Sequence, residues 1–337
     1  MENKKENIIF DSGINAAINL LQQHKIKFTK LQVRNAFSRR FKKDIINLLD
    51  ISVVLQRNGI NNEAFKIHDF NQLQNIRTPF ITLIQDGEHG LEHITVTSIS
   101  KTNIKYINAD ALTQTQKITH FKKQWNSVVF LLNTKAKYFN KTNYSQSVLT
   151  EKKQKNAYLK QSFKSLPNFL TPTQCKQIIK YCTQNNLFKQ SPLTNSTAKN
   201  VSYYSAQRTS QSALINYTNN ELFNGIYEKT KQLLHVQLQQ IEVLQCVRYK
   251  KNNHFVPHYD SNKLLNRKHT ILVYLNENFS GGETCFPELD KKIKPKTGHA
   301  ILFRNTTQKN TNQLYAVHAG LPVTKGIKYA LNIWVQG

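Results

Sequence analysis

The sequence contains no apolar run that approaches the length needed to cross a bilayer. Its opening, Met-Glu-Asn-Lys-Lys-Glu-Asn followed by only Ile8-Ile9-Phe10 before Asp11, holds no apolar signal core, so a cytoplasmic location and no membrane partner are expected. Cysteine is scarce: Cys175, Cys182, Cys246 and Cys285 lie far apart with no Cys-x-x-Cys pair, which excludes a zinc ribbon or a disulfide scaffold and leaves small buried side chains. Acidic residues are few as well, 20 against 47 Lys and Arg, giving a formal charge of +27. The basic residues are spread along the chain rather than clustered, so nucleic acid is not favoured as a partner and an acidic peptide is the better match. No internal repeat is visible.

What is present is a globular composition, 39% hydrophobic and 10% aromatic, in a chain of 337 residues that is long enough for two domains. Residues 134–164, rich in Lys, Asn, Ser and Thr, form the linker candidate between a domain over 1–133 and another over 165–337. In the first, helical patterning runs to about residue 58, and short alternating runs follow: Phe80–Ile84, His93–Thr97, Ile104–Ile107 and Val128–Leu132. That order is an α+β plan.

In the second, Thr171-Pro172-Thr173-Gln174 predicts a helix start, with Thr as N-cap, Pro in the first turn and Gln three residues after the cap; Cys175, Ile178, Ile179 and Cys182 then share a face. A helix is predicted over 220–238 with Leu222, Ile226, Leu233 and Leu234 inward. Strands are predicted at Val243–Tyr249, Thr270–Leu275, Ala300–Phe303, Leu314–His318 and Tyr329–Val335, which suggests a sandwich or barrel.

His258-Tyr259-Asp260 puts two ligand types two residues apart, so on a strand both project from one face. His318 follows 60 residues later (318 − 258). Two histidines and one carboxylate can bind a metal and leave positions open, as in non-haem iron oxygenases, although zinc hydrolases use similar ligands. A cationic clamp for the far carboxylate of 2-oxoglutarate separates the two readings. Lys328, ten residues past His318 (328 − 318), is expected on the same face of a strand and fits that role.

The second half resembles the prolyl 4-hydroxylase-like branch of the Fe(II)/2-oxoglutarate dioxygenases. The likeness covers about 165–337 and runs in order through Pro167-Asn168-Phe169-Leu170, Arg208-Thr209-Ser210, Tyr249, Pro257 to Asp260, Thr270 to Asn276, Gly281-Gly282-Glu283-Thr284 to Pro287, His318, Lys328 and Trp334. The resemblance implies a double-stranded β-helix (jelly roll) with flanking helices, iron on His258, Asp260 and His318, and 2-oxoglutarate held by Tyr249, Lys328 and Trp334. It also implies O2 as co-substrate, with ascorbate an open addition, and hydroxylation of an unactivated C–H bond coupled to conversion of 2-oxoglutarate to succinate. Lys250-Lys251-Asn252-Asn253-His254 lacks the glycines usual after that tyrosine, which directs attention to substrate choice.

The first half resembles the papain-like cysteine peptidase domain that removes double-glycine leaders from bacteriocin precursors. The carriers are Asp11-Ser12-Gly13 with Ala16 and Ala17, Asn58-Gly59-Ile60, Thr78-Pro79-Phe80-Ile81, His93 with Asp110, and Trp125 to Val129. In that family a cysteine stands where this chain has Ser12 and a glutamine where it has Glu6. A hydroxyl is far less acidic than a thiol, and Glu6 would repel an oxyanion, so a degenerate domain without proteolysis is predicted. The pairing suggests a hydroxylase of a peptidyl residue, proline favoured, in a ribosomally made precursor whose acidic helical leader the first domain holds. The alternative is an oxygenase of a free amino acid or small molecule, with the first domain serving assembly.

Overall fold

A computed structural model of the chain describes residues 12–40, 46–85, 91–109, 111–141, 144–194, 202–203, 208–216, 220–261 and 265–337. They fall into two compact units, Met1–Gln154 and Lys155–Gly337. Among the described residues no helix is long and apolar enough to cross a membrane.

The first unit opens with α1 (Ser12–Gln23), α2 (Lys30–Arg40) and α3 (Leu48–Arg57). It continues with β1 (Asn62–Lys66), β2 (Phe80–Gln85), β3 (Leu91–Ile99), β4 (Asn103–Ile107), β5 (Thr113–Lys117), α4 (Ile118–Gln124) and β6 (Trp125–Leu132). The strands form one antiparallel sheet ordered β1-β6-β2-β3-β4-β5. Ile14, Ala17 and Leu21 of α1 pack in one core with Ile81 and Phe130 of the sheet, and Thr95 Oγ1 on β3 donates to the Ala16 carbonyl. The four predicted strands are found here; β1 and β5 are additional edge strands.

Within the predicted linker, residues 144–161 form an 18-residue helix, α5 (Tyr144–Gln161), and the division between the units falls inside it. Its apolar side chains are too few to give a helical period, yet Tyr158 is buried and its hydroxyl donates to the Arg304 carbonyl.

The second unit continues with β7 (Phe163–Leu166), α6 (Pro172–Gln184), β8 (Lys189–Gln190), β9 (Leu193–Thr194), β10 (Ser202–Tyr203), β11 (Gln211–Ile215), α7 (Glu221–Leu234) and β12 (Leu244–Tyr249). Then come β13 (Phe255–His258), β14 (Arg267–Tyr274), β15 (Ser280–Gly281), β16 (Thr284–Phe286), β17 (Lys291–Ile293), β18 (Ala300–Arg304), β19 (His318–Gly320), β20 (Val323–Lys325) and β21 (Lys328–Gln336). A seven-stranded sheet ordered β7-β18-β14-β21-β12-β11-β8 and a four-stranded sheet ordered β13-β19-β16-β17 make the double-stranded β-helix.

The α6 capping box forms as predicted, Thr171 accepting from the Gln174 amide and Gln174 from the Thr171 amide. Cys175, Ile178 and Cys182 join Phe223, Ile226, Leu244 and Ile271 in the core. Two expectations are corrected. Helix α7 ends at Leu234 because His235 turns left-handed at φ 52°, and Leu233 is exposed. Residues Leu314–Ala316 form a 3-10 turn rather than a strand, and β19 begins only at His318. None of the four cysteines forms a disulfide; three are buried and Cys285 is half-buried.

Candidate active site

His258 is the last residue of β13 and His318 the first of β19, and the antiparallel register sets them directly opposite one another. Their ring centroids lie 4.4 Å apart. His258 Nδ1 lies 2.8 Å from the Val256 carbonyl and His318 Nδ1 3.0 Å from the Ala316 carbonyl. A carbonyl can only accept, so Nδ1 carries the proton in each ring and Nε2 presents its lone pair. Those Nε2 atoms meet Asp260: His258 Nε2 is 3.6 Å from Oδ1 and His318 Nε2 3.7 Å from Oδ2. One ligand atom from each residue falls within a 4.8 Å cluster.

Contrary to the expectation from the sequence, Asp260 does not share the strand of His258. β13 stops at His258, and a bend brings the carboxylate round. Burial opposes its ionisation, but His318 and His258 together hold the carboxyl well below the ordinary range. Burial pushes His318 down to about 4 against the pull of Asp260, so it is neutral at pH 7. Two imidazole nitrogens and one carboxylate oxygen fit a divalent iron ion. Aromatic rings close the cluster: Phe255 stacks on His258 at 3.5 Å and Phe303 meets His318 edge-on at 4.9 Å.

The cluster opens into a cavity of about 370 Å³ that Arg208, Tyr249, Arg267, Lys328 and Trp334 also line. The expectation that Lys328 shares a strand face with His318 is corrected: the two stand in different sheets, on β21 and β19, and reach the same cavity from both. The direct cross-strand neighbour of Lys328 is Tyr249 on β12. Burial pushes Lys328 down to about 8 despite the opposing pull of Glu283. Its Nζ donates to the Gly282 carbonyl at 2.7 Å. Gly282, at φ 68°, is closely packed: a Cβ there would lie 3.0 Å from Phe279 and Val323 and 3.3 Å from the Lys328 stem. Burial likewise pushes the Tyr249 phenol up, with the Arg208 charge opposing.

Trp334 lies under the Arg267 guanidinium at 3.5 Å, and its buried Nε1 has no hydrogen-bond acceptor among the described residues. Arg267 pairs with both oxygens of Glu242 at 2.8 and 2.6 Å and donates to the Asp260 carbonyl at 3.3 Å. Arg208, singled out in sequence only as part of a motif, donates to Ser210 Oγ, the Pro192 carbonyl and Gln245 Oε1. Arg267 and Glu242 were missed because nothing in either residue's neighbourhood signals a partner 25 positions away. The 250–254 segment turns without glycine: Asn252 adopts φ 67°, and Asn253 Oδ1 accepts from the Lys250 amide.

In the first unit, Ser12 Oγ at the start of α1 lies 3.0 Å from His93 Nδ1 on β3. Burial pushes His93 down to about 4. Glu6 and Asp110 lie outside the described residues.

Comparison with known proteins gives two family matches, the 2OG-Fe(II) oxygenase superfamily over residues 244–336 and the Peptidase C39 family over residues 5–137. The chain is 35% identical over 185 residues to a putative prolyl 4-hydroxylase of Acanthamoeba polyphaga mimivirus, covering 51% of this chain and 72% of that protein. It is 27% identical over 196 residues to prolyl 4-hydroxylase 2 of Arabidopsis thaliana, covering 50% of this chain and 64% of that one. Among solved structures, the 2OG complex of a viral collagen prolyl hydroxylase from Paramecium bursaria Chlorella virus-1 aligns with 27% identity and a TM-score of 0.43, over 52% of this chain and 96% of that one.

Proposed function

Because the chain belongs to the 2OG-Fe(II) oxygenase superfamily, in its prolyl 4-hydroxylase-like branch, and carries a Peptidase C39 family domain ahead of the oxygenase, we propose that it hydroxylates a peptidyl residue, proline favoured, in a ribosomally made precursor peptide held by the first domain. The family implies iron(II), 2-oxoglutarate and O2. The observation that carries the site reading is the convergence of His258, Asp260 and His318 within 4.8 Å, with both histidine Nδ1 protons engaged by carbonyls. These three residues would hold the iron. When bound, iron with 2-oxoglutarate and O2 supplies the oxidising power for an unactivated C–H bond, 2-oxoglutarate leaving as succinate and carbon dioxide.

The remaining work is done by the chain. The Lys328 ammonium, buried and still protonated at pH 7, would pair with the far carboxylate of 2-oxoglutarate, because a buried cation hydrogen-bonded to a neutral carbonyl gains from an anion. The Tyr249 phenol, kept protonated by burial, is a hydrogen-bond donor beside it. Phe255, Phe303 and Phe286 exclude water from the histidine rings. Trp334 and Arg267 both line the cavity, the indole stacked against the guanidinium, and Arg267 brings a planar cation to its wall.

For the first domain, Ser12 in place of a thiol supports capture without cleavage, and the charge of +27 suits an acidic leader. The test is succinate release by the full chain with a neighbouring precursor peptide, with mass spectrometry of the product for one added oxygen atom. A leaderless core peptide should require a much higher concentration for the same rate. Equal concentration dependence for the two peptides would remove the first domain from the proposal, and release without oxygen transfer to any peptide would favour a small-molecule substrate.

A further inference from the structure

Two residues outside the cavity lining, Thr270 and Asn305, make a relay of hydrogen bonds onto Asp260. Thr270 on β14 is buried, and its Oγ1 lies 2.7 Å from Asp260 Oδ2. Asn305, the first residue after β18, is equally buried, and its Nδ2 lies 2.8 Å from the same Thr270 Oγ1. The backbone of Asn305 is pinned on both sides, its amide donating to the Lys268 carbonyl and its carbonyl accepting from the Gln313 amide, each at 2.8 Å.

The direction of the relay follows from what each group can do. The Asn305 amide nitrogen only donates, so Thr270 Oγ1 is the acceptor there, and its single hydrogen is left for Asp260, which as a carboxylate only accepts. The opposite amide orientation would draw the threonine hydrogen to Asn305 and set two lone pairs against each other at Asp260. Asn305 Oδ1 is itself buried with no hydrogen-bond partner among the described residues, so the amide keeps its nitrogen on Thr270 without a bond to its own oxygen there. The orientation is therefore held by Thr270 rather than by any contact of the oxygen.

We infer that Thr270 and Asn305 are positioning residues that occupy Asp260 Oδ2 and present Oδ1 alone to the metal. This rests on the reading of His258, Asp260 and His318 as ligands. Oδ1 is the carboxylate oxygen on the His258 side, 3.6 Å from its Nε2. A carboxylate binding through both oxygens would take a coordination position that an oxygenase needs open for its co-substrates. The relay reserves that position, and it fixes the carboxylate before the ion arrives.

The test is titration of the full chain with Co(II) alone, followed by titration of the Co(II) form with 2-oxoglutarate. Thr270→Val, which exchanges the hydroxyl for a methyl at constant shape, should weaken Co(II) binding about tenfold to a hundredfold, whereas Thr270→Ser, which keeps the hydroxyl, should stay within about threefold of the parent. Asn305→Asp turns the donor facing Thr270 into an acceptor, draws the hydrogen away from Asp260 and should behave like Thr270→Val; it keeps the inference testable if the valine variant fails to fold. Metal-free melting curves matching the parent separate positioning from stability. Parent-like Co(II) affinity in Thr270→Val and Asn305→Asp, with binding abolished in His258→Ala, would overturn the relay alone. Parent-like binding in His258→Ala would overturn the ligand reading, and the relay with it.

Discussion

His258 and His318 are register partners across two antiparallel strands, so the backbone ladder itself sets the spacing of the two imidazoles. Removing either ring leaves the other pointing at a carboxylate with no third donor. His258→Ala and His318→Ala should each lower succinate release to the no-enzyme background, measured with excess iron(II) and 2-oxoglutarate. Activity that survives either change would mean that the ion binds elsewhere.

The buried ammonium of Lys328 gives a pH dependence whose sign is fixed. With its pKa pushed down to about 8, the group is charged below that pH and loses its charge above it. The KM for 2-oxoglutarate should therefore rise as pH passes about 8, while kcat at saturating co-substrate changes less. Lys328→Ala should raise that KM on the order of tenfold to a hundredfold, the worth of one charge-assisted hydrogen bond, and remove the rise. A flat KM in the parent between pH 7 and 9 would count against the assignment.

In the first unit, the Ser12–His93 contact has the geometry of a nucleophile and base without the chemistry. An imidazole pushed down to about 4 is too weak a base to activate a hydroxyl. The chain should leave double-glycine leaders intact and should not react with a fluorophosphonate probe; labelling lost in Ser12→Ala would refute this. His93 also links stability to pH. Its folded pKa lies below the unfolded value of 6.5, so the unfolded state binds the extra proton between those pH values. Stability is full above about 6.5 and falls by roughly 3 kcal/mol as pH drops toward 4. His93→Leu should flatten that part of the curve in denaturant titrations.

The capping box of α6 gives a local test of stability without function. Thr171→Ala should cost about 1 kcal/mol in chemical denaturation and leave 2-oxoglutarate turnover unchanged.

That capping box was legible because a cap is an affair of four consecutive residues. The candidate cluster was legible because His258 and Asp260 stand two apart, and because His318, Lys328 and Trp334 follow in an order that a resemblance could supply. What was lost depends on pairing between distant strands. Lys328 was placed on the face of His318 by counting residues, whereas the chain leaves one sheet and joins the other between them. The partners Arg267 and Glu242, and Asn305 and Thr270, meet at separations of 25 and 35 residues, which no local pattern encodes. Strands β1 and β5 escaped notice because edge strands with exposed faces, such as Thr113–Lys117, show no apolar alternation.

The cross-strand histidine pair also orders events during folding. Its two members are 60 residues apart and become neighbours only once β13 has found β19, after β14 to β18 have been laid down between them. An ion held by His258, Asp260 and His318 would need β13 and β19 already paired, because His318 joins the other two only across that register. Its removal is expected to loosen the contact between those two strands.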